Sequence, residues 1–160
     1  MTPITTTADL AVFCSKLKGQ PFVAVDTEFM RETTYWPKLC LIQAAADGAE
    51  ACIDPLAEGL DLEPFLEVLR DESILKVFHA ARQDVEIFNN LQAMPKPLFD
   101  TQVAGMAAGF GEQIAYDALV RDRATERHPG RGTRAHQLDG PLGHADRAHA
   151  VMDATRTQPR

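Results

Sequence analysis

The first residues able to do chemistry are two acids one residue apart, Asp26 and Glu28, in the run Val25-Asp-Thr-Glu-Phe29. Side chains alternate along a strand, so both carboxylates point to one face, ~7 Å apart along the chain. They follow the apolar stretch Phe22-Val-Ala-Val25, where a central strand is expected to leave the core. Two like charges at such a place repel and lose hydration unless a cation joins them. Oxygen-only ligands of this kind suit a hard divalent ion, Mg²⁺ or Mn²⁺. A plainer reading has Asp26 capping the next segment and Glu28 solvated. Asp-x-Glu by itself does not separate the two.

A third acid shifts that balance. In Phe78-His-Ala-Ala-Arg-Gln-Asp84-Val-Glu-Ile-Phe88, helical spacing puts Asp84 on the same stripe as Ala81, Ile87, Phe88 and Leu91. Those apolar residues should face a sheet. Leaving an unpaired charge there costs several kcal/mol. Arg82 and Glu86, four apart, are expected to pair on the outer face. The alternative for Asp84 is a structural ion pair, but residues 1–120 hold 8 Lys+Arg against 18 Asp+Glu. With cations so scarce, three carboxylates around one metal site is the better reading.

Positioning these acids falls to an alternation of strand and helix signals. Thr7 is expected to cap a first helix with Leu10, Phe13, Cys14 and Leu17 on one face, ended by Gly19. Strands are expected at Phe22–Asp26, Leu39–Gln43 and Ala51–Ile53, the last two joined by the hairpin turn Asp47-Gly48. Asp61 and Pro64 open a second helix carrying Phe65, Leu66 and Leu69. A strand at Ile74–Phe78 and a helix at Ala81–Leu91 follow, then a helix capped by Asp100 and another from Tyr116 to Val120. Three hairpin-type strands followed by strand–helix alternation predict an α/β fold, a mixed sheet with helices on both faces.

From Phe22 to Val120 the sequence resembles the DEDD superfamily of 3′→5′ exonucleases, ribonuclease D in particular. The resemblance rests on Phe22-Val-Ala-Val-Asp26-Thr-Glu28-Phe29, Thr34-Tyr35-Trp36-Pro37-Lys-Leu-Cys-Leu-Ile-Gln43 and Ile53-Asp54-Pro55. It continues in Phe78-His79-Ala-Ala-Arg-Gln-Asp84 and Pro97-Leu-Phe-Asp100-Thr-Gln102. It implies a ribonuclease H-like fold, incomplete at the C-terminus, and two-metal hydrolysis at RNA 3′ ends such as those of tRNA precursors. By the same resemblance Asp26 would bridge both ions, Glu28 would bind one and help place the attacking water, and Asp84 would hold the second through a water. Beside the acids, Phe29 is suited to stacking on the terminal base and equally to core packing. His79, ending its strand, is read as a contact for the nucleic acid, with a structural histidine as the competing role. Tyr35, Trp36, Arg31 and Lys38 mix aromatic and basic character in one loop, fit either for RNA or for a turn packed on the sheet. A DNA-directed proofreading exonuclease would share the acids, although the run Tyr35–Gln43 is more similar to ribonuclease D.

Composition changes near residue 121. Residues 1–120 carry a net charge of −10 and all eleven aromatics; residues 121–160 carry 8 Arg, no Lys and 5 acids, a net of +3. Pro129, Gly130, Gly132, Gly140, Pro141 and Gly143 interrupt the second part, which has no sustained apolar period. The expected organisation is a partial exonuclease domain over 1–120 and a weakly ordered tail over 121–160. The family's last acid, in a Tyr-x-x-x-Asp motif, has as its counterpart only His149-Ala-Val-Met-Asp153. Arg, Ala, Gly, Pro and His enrichment suggests that the tail is an out-of-frame product of a GC-rich gene. Back-translated with G/C-ending codons and shifted by one base, Ala135–Gly140 reads Arg-Thr-Ser-Trp-Thr-Ala, similar to a segment preceding the family's last motif. An inactive exonuclease-fold remnant, binding nucleic acid or metal weakly at most, is therefore the alternative function. The overall charge of −7 argues against a generally basic nucleic-acid coat. No apolar run reaches a membrane span, and no basic region followed by an apolar stretch opens the chain. Cys14, Cys40 and Cys52, odd in number and without metal spacing, predict a reduced cytoplasmic protein. No protein partner is predicted.

Overall fold

In the computed structural model, residues 2–32 and 35–110 are described. Helix α1 (Thr7–Leu17) begins at Thr6, not Thr7: Thr6 is extended (φ −124°, ψ 146°) and its hydroxyl accepts from the Asp9 amide at 3.2 Å. Three threonines in a row offered the same chemistry to the helix start. Thr7 instead accepts from the Asp61 amide at 2.8 Å, tying α1 to the segment before α2. Leu10, Phe13, Cys14 and Leu17 are buried, as their spacing predicts.

Five strands follow the order β3-β2-β1-β4-β5: β1 (Phe22–Met30), β2 (Lys38–Ala46), β3 (Ala49–Ile53), β4 (Leu75–Phe78) and β5 (Leu98–Asp100). The β1–β2 and β2–β3 pairs are antiparallel, while β4 lies parallel to both β1 and β5. This is the mixed sheet expected. β1, however, runs four residues past its expected end at Asp26, because β2 supplies ladder partners out to Met30 opposite Lys38. The acids therefore sit within a strand rather than at its end. β5 was not foreseen: three residues are too few to show an alternation.

Helices α2 (Glu63–Arg70), α3 (Arg82–Asn90) and α4 (Thr101–Ala107) complete the described elements. Side chains of α1, α2 and α3 share one core with Val23, Val25, Ile42, Ala44 and Phe78. Ala24 and Val77, out of phase with Val23, Val25 and Phe78, form a smaller cluster with Phe22, Leu75 and Phe99. The alternation of β1 thus divides the two faces. In β4, Lys76 is wholly buried and donates from Nζ to the carbonyls of Asp71 (2.5 Å), Ile74 (2.7 Å) and Lys96. Three carbonyls use all three ammonium protons. Burial pushes the pKa of Lys76 down, opposed by the charges of Asp71 and Glu72. The expected helix at Tyr116–Val120, the 120/121 boundary, His149 and Asp153 all lie outside the described residues.

Candidate active site

Asp84, the third residue of α3, is buried at 7% exposure, as the helical stripe predicted. Its Oδ1 accepts a hydrogen bond from the Thr27 hydroxyl. Thr27 is the residue between Asp26 and Glu28. Alternation aims its side chain away from theirs, toward the face that α3 covers. The strand thus presents two half-buried carboxylates on one side and steadies the helix-borne acid from the other. Burial raises the pKa of Asp84 to about 6; the Thr27 hydroxyl opposes this, and the charges of Asp26 and Asp100 add to it. Asp26 and Asp84 therefore feel each other, as a shared cation site requires.

No three His, Cys, Asp or Glu side chains among the described residues converge as a ready metal cage. Asp84 senses the charge of Asp26, and Glu28 stands two residues further along β1 on the same side of the strand. Hard oxygen donors, mutual repulsion and a carboxylate held out of water fit a divalent cation chemically. Mg²⁺ characteristically keeps several waters and takes one or two carboxylates plus substrate phosphate, so an open set is the appropriate kind.

A β-bulge falls immediately after Glu28: Glu28 pairs with Leu41 and Phe29 with Leu39, leaving Cys40 as the extra residue of β2. Bulges re-aim side chains and are over-represented beside active sites. Phe29, at the bulge, is half-buried. His79 follows β4, also half-buried, with Nδ1 at 2.9 Å from the Thr101 hydroxyl. That hydroxyl donates its one proton to the Phe78 carbonyl at 3.1 Å. Its oxygen must then accept from His79, which puts the ring proton on Nδ1.

One expected contact is corrected. Glu86 pairs not with Arg82 but with Arg31, through two nitrogens at 3.1 and 3.2 Å. Arg preceding Glu by four is the weaker orientation on a helix, and the two-pronged guanidinium grip outcompetes it. Tyr35 and Trp36 are exposed, with rings edge-to-face at 4.7 Å. An open cleft of about 420 Å³ lies between Trp36 and Leu39 on one side and Ile87 and Leu91 on the other; none of the predicted site residues lines it.

Four residues near the acids escaped the sequence reading. Thr27 and Thr101 were passed over inside motifs. Asp100 was read only as a helix cap. Gln43, directly opposite Asp26 in the ladder, is buried and its Nε2 has no hydrogen-bond partner among the described residues. Its signal was a lone amide in the apolar run Leu39–Ala46.

A 3′-5′ exonuclease family model matches residues 1–125. Ribonuclease D of Nitrobacter hamburgensis is 49% identical over 154 residues, covering 95% of this chain and 40% of the relative. That coverage carries the similarity past residue 120. The crystal structure of Escherichia coli RNase D, 33% identical, superposes with a TM-score of 0.75 over 98% of this chain and 43% of that one. Brucella melitensis NrnC, whose structure holds Mg²⁺, is 22% identical at a TM-score of 0.60 and shares the fold. The chain spans about two fifths of the length of the curated relatives it matches. With the mixed sheet, the ordered motifs and the family match in agreement, the chain belongs to the 3′-5′ exonucleases of the DEDD superfamily, in the ribonuclease D family, and has their ribonuclease H-like fold.

Proposed function

We propose that this chain carries the catalytic part of a divalent-metal-dependent 3′→5′ exoribonuclease acting on RNA 3′ ends, tRNA precursors among them. One observation carries the reading: Asp84 is buried beside Asp26, and its pKa is raised to about 6 by burial and by the Asp26 charge in spite of the Thr27 hydroxyl and its own backbone amide. Such an arrangement is costly unless a cation completes it. The exoribonuclease described for the E. coli relative, involved in structured RNA processing, is the matching activity.

Two divalent ions, Mg²⁺ or Mn²⁺, would neutralise the attacking and leaving oxygens and favour ionisation of water. Asp26 would hold both, Glu28 one, and Asp84 the second through a water. Glu28 accepts an O–H of the attacking water and aims its oxygen at phosphorus, in line with the P–O3′ bond. A new P–O bond forms, the P–O3′ bond breaks, and the proton lost by water ends on the 3′-oxygen. The products are a nucleoside 5′-monophosphate and an RNA one residue shorter. Phe29 stacks on the terminal base, and His79 contacts the strand through its ring. No described observation favours an inactive remnant. The out-of-frame origin proposed for 121–160 is tested on the coding DNA: absence of a homologous stretch in both other frames would sink it.

The function itself is tested with 5′-labelled single-stranded RNA and Mg²⁺ or Mn²⁺. A ladder shortening from the 3′ end, lost with EDTA and with Asp26→Asn, is the expected result. Folded protein that leaves the RNA intact, or that degrades only the matching deoxyribo-oligonucleotide, would refute it.

A further inference from the structure

The turn that launches α3 has a feature its own residues do not explain. Ala80 has φ +58°, the left-handed region that a residue with a Cβ rarely adopts. Ala81, the N-cap of α3, has no side chain able to cap it. Such backbone persists only where its surroundings hold it. Here the holding groups come from the next strand. Asp100 ends β5 opposite Phe78 of β4. Its Oδ1 accepts from the Ala80 amide at 3.0 Å and its Oδ2 from the Ala81 amide at 2.9 Å. Thr101 adds the bond to the Phe78 carbonyl and the one to His79. Both sides of the turn 78–81 are thus gripped by two consecutive residues.

We propose that Asp100 is a positioning residue for the site: by clasping the Ala80 and Ala81 amides it fixes where α3 begins, and so where Asp84 meets Thr27 and faces Asp26. The inference rests on Asp84 being a site acid. It goes beyond capping, which Asp100 also does, accepting from the Gln102 amide at 2.8 Å. The two roles separate by substitution. Asn and Ser are as good as Asp at a helix N-cap, so Asp100→Asn and Asp100→Ser keep α4 capped. Neither offers two acceptor oxygens; in the Asn variant an NH₂ group would confront one of the clasped amides.

The experiment uses the full chain in three readouts. Hydrogen exchange at the Ala80 and Ala81 amides should quicken in both variants. At pH 7.5 without metal, the ¹³C shift of the Asp84 side-chain carboxyl should move toward that of Thr27→Val, because the Thr27 bond is loosened. Mn²⁺ binding should weaken, and kcat on RNA fall, by about 10- to 100-fold with KM nearly unchanged. If both variants keep the wild-type carboxyl shift and Mn²⁺ affinity, Asp100 is a helix cap only and the inference is overturned. Should the wild-type chain fail to cleave RNA, the proposed function falls, while the exchange rates and the carboxyl shift still decide the positioning role.

Discussion

Lys76 and Asp84 are both buried charges, at 0% and 7% exposure, eight residues apart in the chain. Their surroundings differ in kind. The ammonium of Lys76 gives each of its protons to a backbone carbonyl. The carboxylate of Asp84 has the Thr27 hydroxyl and its own backbone amide as donors, with two acids acting against its ionisation. Burial alone therefore does not mark a site. Lys76, with every proton bonded, is structural; Asp84, buried against like charge, is the acid that the proposed function assigns to a cation.

Five substitutions sharpen or break that contrast. The largest effect is expected from Asp84→Asn and Asp26→Asn, each lowering the exonuclease rate on the order of 10³-fold, about 4 kcal/mol of barrier. Rates within a few fold of wild type would remove both acids from the chemistry. Next comes Lys76→Met, which strips three carbonyls of their donor and should cost about 3 kcal/mol. Its Tm should drop by roughly 10 °C or more, with kcat per folded molecule retained. An unchanged melting curve would make Lys76 as poorly satisfied as Asp84 and break the comparison.

The opposite sign is expected for the stability of Asp84→Asn in EDTA. The folded pKa is about 6, raised from 3.8. Protonation is thus favoured by folding; this contribution is fully present below pH 3.8 and is lost as pH rises through about 6. Above that pH the ionised acid costs the metal-free protein on the order of 3 kcal/mol, which the Asn variant avoids. Its Tm advantage over wild type should be largest near pH 7.5, shrink on acidification toward pH 4, and be reduced by Mg²⁺ or Mn²⁺. Constancy across that range would show that Asp84 is not strained. Thr27→Val should be milder, weakening Mn²⁺ binding about tenfold by calorimetric titration. Arg31→Ala is expected to be smallest: the pair with Glu86 is exposed, and its loss should shift chemical denaturation by under about 1 kcal/mol.

Much of this was legible in the residues because it follows from short-range periodicity. Helical spacing put Asp84 on the buried stripe, and strand alternation put Asp26 and Glu28 on one side. The burial of α1 also followed its spacing. What escaped was whatever depended on a partner distant in sequence. Arg82 was the nearest cation to Glu86 along the chain, yet Arg31, 55 residues away, took it. Asp100 looked sufficient as a cap because its other two partners lie 20 and 19 residues earlier. Lys76 stood in an apolar strand with no sign of the loop carbonyls that receive it.

The sequence by itself determined the kind of chemistry. Three acids at these spacings, with few cations nearby in sequence, suit a hard divalent cation, and the ordered motifs that contain them point to one exonuclease family. Tertiary structure decided which acid is strained and what holds it. The reason is that hydrogen bonding and desolvation are properties of contacts: Thr27 meets Asp84 across 57 residues only because β1 and α3 pack together. The length of β1, too, was set by the partner strand, since ladder bonds and not local preference carried it to Met30.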